Sequence, residues 1–213
     1  HVSPMSSRSI SELQTVDMKK CMPVASIMLT IGLAMLQGAR HEHMHSLLQA
    51  AASLEVEIEI RELRKSSDVE GIDALVLPGG ETTAMKIASR SEDLYSGIWK
   101  WIEDKKIPVL GTCAGAILLS QQGLIETEIE RNAFGRQKES FQSEINVDLN
   151  GQSKFQGVFI RAPRFTKGSK SPIAWLGDEI VGVLENDIMA LTFHPELTDD
   201  IRFHVWLLNT ASR

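Results

Sequence analysis

The spacing of hydrophobic positions changes several times along the chain, and each change marks an element. Leu29 to Leu36 is a continuous apolar run, the pattern of a strand buried on both faces. Gln37-Gly38-Ala39 breaks it. From His41 to Leu54 the spacing becomes helical, with Met44, Leu47, Leu48 and Ala51 on one stripe. Glu55 to Ile60 alternates, so Val56, Ile58 and Ile60 share one face of a half-buried strand. Ala74 to Leu77 is a short apolar strand stopped by Pro78-Gly79-Gly80. A helical stretch follows, then a second one from Leu94 to Lys105. Pro108 ends that helix ahead of the strand Val109-Leu110, and Gly115 to Gln121 reads as helix again. Further strands are expected near Phe141–Val147, Gly157–Ile160, Glu179–Leu184 and Met189–Phe193. Ile201 to Asn209 makes a closing helix with Trp206 on its apolar side.

Strands alternating with helices through the first half imply βαβ units and a mostly parallel sheet. Residues 1–27 are different. They are polar, rich in Ser and aperiodic, and read as a flexible extension ahead of one domain over 28–213. Lys19-Lys20 before the apolar run Met22 to Leu36 resembles a secretory signal. The run reads instead as the first buried strand, and it is too short to span a bilayer.

Composition narrows the function classes. With 213 residues, 43% of them hydrophobic, the chain suits one sizeable α/β domain. A net charge of −6 with few basic clusters argues against nucleic-acid binding. Two cysteines, Cys21 and Cys113, make no disulfide framework and fit a reduced cytoplasm.

Gly111-Thr112-Cys113-Ala114-Gly115 lies between a buried strand and a helix. This is the pattern of a nucleophile elbow, a turn so tight that residues two before and two after must be small. The helix that follows would present its positive end to the sulfur and favour a thiolate. A buried cysteine among packing glycines would read the same way, so the motif alone leaves both open. A nucleophilic thiol needs a base. His194 stands in Phe193-His194-Pro195-Glu196 at the end of an apolar run. In extended backbone Glu196, two residues on, faces the same side and can orient the ring. Pro78-Gly79-Gly80-Glu81-Thr82 offers backbone N–H groups for an oxyanion, with Ala114 N–H just after the cysteine. His41, His43 and His45 look metal-like, but on a helix His43 points away from the other two and no third ligand is evident. They read as helix-surface residues, His204 reads as structural, and no metal site is expected.

Six segments now resemble a known family, and they occur in its order. They are Leu36-Gln37-Gly38-Ala39-Arg40, Pro78-Gly79-Gly80-Glu81-Thr82-Thr83, Gly111-Thr112-Cys113-Ala114-Gly115, Arg131-Asn132-Ala133-Phe134-Gly135-Arg136-Gln137, Phe159-Ile160-Arg161-Ala162-Pro163 and His194-Pro195-Glu196-Leu197. They are similar to the glutaminase subunits of pyridoxal 5′-phosphate synthase, the PdxT/SNO family of class I glutamine amidotransferases. The elbow and the His-x-Glu pair indicate only the class. The Arg131–Gln137 and Phe159–Pro163 segments point to the subfamily.

The resemblance implies a flavodoxin-like three-layer α/β sandwich with a mostly parallel central sheet. It implies hydrolysis of L-glutamine to L-glutamate and ammonia, without a metal or organic cofactor. The ammonia would pass to a synthase subunit, a dodecameric core decorated by glutaminase subunits, for pyridoxal phosphate synthesis. Carried over by motif, Cys113, His194 and Glu196 form the triad, and Gly80 and Ala114 serve the oxyanion. Gly80, Glu81, Thr82, Arg131, Ile160 and Arg161 contact glutamine. Thr82 stands where the family usually has serine. The family's chains usually begin near Met28, so residues 1–27 are extra. A glutaminase of another complex, such as imidazole glycerol phosphate synthase, would share the triad. A cysteine sensor on the same fold would not need Glu196, and an assembly subunit would not need an intact triad.

A chain beginning at Met28 is expected to melt at the same temperature and hydrolyse glutamine as fast as the full chain, checked by thermal denaturation and glutamate release.

Overall fold

Four apolar strands lie side by side because each carries side chains that need burial on both faces. The computed structural model describes residues 28–34, 39–80, 93–130, 140–166 and 171–213. The expected extension over residues 1–27 and the helix expected directly after Gly80 lie outside them. The described strands are β1 (Leu29–Ala34), β2 (Ile58–Leu63), β3 (Ala74–Leu77), β4 (Val109–Thr112), β5 (Ile129–Glu130), β6 (Ser140–Asp148), β7 (Gln152–Ile160), β8 (Arg164–Phe165), β9 (Pro172–Leu176), β10 (Glu179–Glu185) and β11 (Ile188–Leu191). The described α-helices are α1 (Arg40–Leu54), α2 (Leu94–Lys105), α3 (Ala114–Gln121) and α4 (Arg202–Ala211).

The main sheet has the order β2-β1-β3-β4-β11-β10-β9-β6-β7. From β2 to β11 every pairing is parallel. From β11 to β7 every pairing is antiparallel. The sheet is therefore a parallel core with an antiparallel wing, and β5 pairs separately with β8. The wing includes β9, which the hydrophobic pattern did not reveal.

Side-chain alternation assigns the layers. Ile31 and Leu33 of β1, Val76 of β3, Leu110 of β4 and Leu191 of β11 meet α1 and α4 through Leu47, Ala50, Phe203 and Leu207. Ala34, Leu75, Leu77, Val109 and Ala190 point the other way, toward Ile98 and Ile102 of α2 and Leu119 of α3. The result is the three-layer α/β sandwich that the family resemblance implied. Among the described residues no helix is long and apolar enough to cross a membrane.

Three local expectations shift. The buried face of α1 is His43, Ser46, Leu47, Ala50 and Ala51, whereas Leu48 is 54% exposed. The helix is rotated from its expected stripe because two polar side chains go inward. The strand expected from Glu55 begins only at Ile58, since Glu55 closes α1 in a left-handed conformation (φ 54°). On α4, Phe203, Leu207 and Leu208 are buried, while Trp206 packs at the edge of that core.

Helix α3 leans hard on β3. A Cβ at Gly115 would collide with the Leu77 carbonyl oxygen. Gly115→Ala is expected to destabilise the domain by about 1–3 kcal/mol from overpacking. That outweighs the gain of roughly 1 kcal/mol in helix propensity. Urea unfolding at neutral pH measures the net effect.

Candidate active site

The chain turns sharply between β4 and α3, and Cys113 stands at the corner with φ 48° and ψ −103°. An L residue adopts this conformation only when its surroundings hold it there. Here the holding groups are visible. Cys113 N–H donates to the Leu191 carbonyl at 2.8 Å, and the Cys113 carbonyl accepts from Ile117 N–H at 3.2 Å. The corner is thus pinned to β11 on one side and to α3 on the other. Both flanking glycines are sterically required, as expected. A Cβ on Gly111 would lie 2.5 Å from Leu119 Cδ1, and one on Gly115 would meet Leu77. The first N–H groups of α3, Ala114 among them, lack intrahelical partners and place the helix's positive end beside the sulfur. Cys113 Sγ lies 3.9 Å from the Ile160 carbonyl at the end of β7.

His194 follows β11, and its backbone N–H donates to the Val158 carbonyl at 2.8 Å. The neighbouring Phe193 packs with Phe155 and with Phe203, each at a ring-centroid distance of 5.6 Å, and those two rings meet each other at 5.1 Å. These rings anchor the strand end against α4 and the wing. Gly79 supplies space: a Cβ there would lie 2.5 Å from His194 Cε1 and 3.3 Å from Cys113 Cβ. His194 Nδ1 donates to Glu196 Oε1 at 2.7 Å, and the ring also hydrogen-bonds the Cys113 side chain. With Nδ1 engaged, Nε2 is the nitrogen left for the sulfur. Burial disfavours a charged His194, but Cys113 and Glu196 together outweigh it and push its pKa up to about 10. Glu196 is buried, which raises its proton affinity. The histidines beside it reverse that, and its carboxyl is held below the usual range.

Glu196 reaches His194 by a different path from the one expected. Pro195–Leu197 is a 3₁₀ turn and not extended backbone. The turn folds the carboxylate back onto the ring.

Gly80 follows β3, Ile160 ends β7 with its carbonyl beside Cys113, and Arg161 comes next. Arg161 sits in the left-handed region at φ 44°. Glu81, Thr82 and Arg131 lie outside the described residues. Because β3, β4 and β11 are adjacent and parallel, their carboxyl ends deliver Gly79-Gly80, Cys113 and His194 to one place, where open α/β sheets bind ligands.

One reading of the sequence needs correction. His41 and His45 are exposed on α1, but His43 is fully buried. Its Nδ1 is 3.0 Å from His204 Nε2, and its Nε2 is 3.2 Å from Thr112 Oγ1. His43 Nε2 is also 3.4 Å from Glu196 Oε2. A signal was present: His43, Ser46, Leu47, Ala50 and Ala51 share one helical stripe, and that stripe faces the core. Among the described residues no three His, Cys, Asp or Glu side chains are grouped to hold a metal ion.

Residues 33–213 match the SNO glutamine amidotransferase family. The chain is 38% identical over 198 residues to the pyridoxal 5′-phosphate synthase subunit PdxT of Thermococcus onnurineus, covering 86% of this chain and all of that protein. It is 38% identical over 193 residues to the PdxT subunit of Thermus thermophilus, covering 85% of this chain and 97% of the relative. A crystal structure of a glutamine amidotransferase superposes with a TM-score of 0.74 at 38% identity, over 86% of this chain and 99% of that one. PurLQS from Thermotoga maritima shares the fold at a TM-score of 0.62 and 18% identity, over 86% of this chain and 97% of that one.

Glu196→Gln removes the negative charge that holds a proton on His194 and leaves the burial that opposes it. The His194 ring is expected to titrate at lower pH in this variant, a shift measurable by NMR of its ring carbons.

Proposed function

The chain belongs to the SNO glutamine amidotransferase family, and from that membership we infer that it is the glutaminase subunit of a pyridoxal 5′-phosphate synthase. It hydrolyses L-glutamine to L-glutamate and ammonia and hands the ammonia to a synthase subunit. The observation that carries the catalytic assignment is the line from the strained Cys113 through His194 to Glu196.

The chemistry follows from the charges. A raised His194 is protonated at neutral pH, so it faces the sulfur as an imidazolium. Such a partner stabilises a thiolate ready to attack the side-chain amide carbon of glutamine. The tetrahedral intermediate carries its negative charge on the former carbonyl oxygen. The N–H groups of Ala114 and Gly80 are suited to receive it, one at the start of α3 and one after β3. As the intermediate collapses, the C–N bond breaks and His194 gives its proton to the departing ammonia. His194 is then neutral and takes a proton from water as that water attacks the γ-glutamyl thioester. The C–S bond breaks, glutamate leaves, and the imidazolium–thiolate pair is restored. Glu196 holds the ring throughout without carrying the proton. Glu81, Thr82, Arg131, Ile160 and Arg161 grip the amino acid, as the family's motifs imply. No metal or organic cofactor enters these steps.

Ammonia released into neutral water is mostly protonated and no longer nucleophilic. A docked acceptor is therefore part of the function, and we place the subunit on a dodecameric synthase core in the reducing cytoplasm. Docking has a switch to act on. Gly80, at φ 156°, can turn its peptide at little steric cost, moving an N–H toward or away from the oxyanion.

Glutamate release measured with and without saturating synthase subunit tests this reading. The isolated chain is expected to be slower by about 10²–10³, the usual effect of one missing oxyanion donor. Cys113→Ala is expected to abolish release in both conditions while the protein still melts cooperatively. Equal rates with and without the synthase would remove the switch, and activity in Cys113→Ala would remove the nucleophile.

A further inference from the structure

The triad accounts for one oxygen of Glu196 and leaves the other unexplained. Oε1 accepts from His194. Oε2 is buried and makes no hydrogen bond of good geometry, and His43 Nε2 stands 3.4 Å from it. Behind His43 stands His204, equally buried, and beside it Thr112, the residue before the nucleophile. Two fully buried histidines are costly where an apolar pair would pack as well. We propose that His43 is a positioning residue for the triad. It presents an Nε2 proton to Glu196 Oε2 and so keeps Oε1 on His194. The proposal rests on the glutaminase reading above and deepens it.

The hydrogen bonds of His43 and His204 fit either direction of donation, and the carboxylate beside His43 Nε2 selects one of them. The charged groups facing His43 are Glu196, His194 and Glu42, together with the ring of His204. Burial holds His43 below the usual histidine range despite the pull of Glu196, and it takes His204 down to about 3. Both rings are therefore neutral, with one N–H each. A carboxylate oxygen can only accept, so His43 must carry its proton on Nε2. Its Nδ1 must then accept, and His204 must donate from Nε2. That leaves His204 Nδ1 as a bare acceptor, and it is the ring nitrogen found without a partner. The result is a directed series of donors from α4 through α1 to the carboxylate. His43 Nε2 stands 3.4 Å from Glu196 Oε2 and 3.2 Å from Thr112 Oγ1, so one ring links the carboxylate to the residue before Cys113.

The mechanical consequence concerns rotation. A buried carboxylate held by one oxygen can swing about its terminal bond and take Oε1 away from His194. A second donor on Oε2 removes that freedom. Misplacing the orienting group by even 1 Å can cost about 10²-fold in rate.

Two variants separate positioning from packing, measured on the chain bound to its synthase subunit. The amide nitrogen of His43→Gln reaches about as far as the native Nε2. In His43→Asn the amide stops near the native Nδ1, so it can still meet His204 but not Glu196. His43→Asn is expected to lose roughly 10–100-fold in kcat with KM little changed, and His43→Gln to recover most of that loss. Alkylation of Cys113 by iodoacetamide at pH 7, without glutamine, is expected to rank the variants in the same order. In the unsubstituted protein, ¹⁵N NMR is expected to show His43 protonated on Nε2 alone. Equal kcat for the Asn and Gln variants overturns the proposal. So does a His43 ring protonated on Nδ1, a measurement that holds even if a variant fails to fold. If the unsubstituted complex released no glutamate while alkylation still ranked Gln above Asn, the glutaminase reading would fail and the positioning role would stand.

Discussion

The left-handed corner at Cys113 is the constraint around which the rest of the domain is arranged. An L residue at φ 48° relaxes unless its two peptide groups are held from opposite sides. Here β11 takes the N–H and α3 takes the carbonyl. The first bond requires β11 to lie beside β4, and α3, which starts at the corner, presses back against β4 and β3. The requirement on β11 explains why the chain returns, after a long antiparallel excursion, to add β11 to the parallel core. The pressing of α3 explains why Gly111 and Gly115 tolerate no side chain.

Burial alone would drive the protons off all three buried histidines. It does so for His43 and His204, which stay neutral. His194 goes the other way because a sulfur and a carboxylate both hydrogen-bond its ring. Within a few ångströms the same apolar core thus yields one charged imidazole and two neutral ones. Opposite shifts in adjacent groups allow each to keep a distinct protonation state.

The antiparallel wing contributes more than area. Its strand β7 accepts the His194 backbone N–H through Val158 and brings the Ile160 carbonyl toward the sulfur. Its Phe155 joins Phe193 and Phe203 in one aromatic cluster. His194 is therefore positioned by the wing and Cys113 by the parallel core, and the two side chains meet where the two halves of the sheet meet.

Much of this was legible in the order of residues. Continuous apolar runs marked β1, β3, β4 and β11, because strands buried on both faces cannot alternate. The elbow was legible because a tight turn restricts its neighbours to glycine, a local steric rule. The pairing of His194 with Glu196 was also local, although a 3₁₀ turn achieves it where extended backbone was expected. What the order of residues could not settle was how far each helix is rotated against the sheet. That rotation turned Leu48 outward and His43 inward. It brought residues 161 positions apart, His43 and His204, within 3.0 Å beneath Glu196. Helical periodicity names a stripe, but which neighbouring stripe faces the core depends on what waits there. For α1 that was a buried carboxylate and a second histidine, partners supplied only by the folded chain.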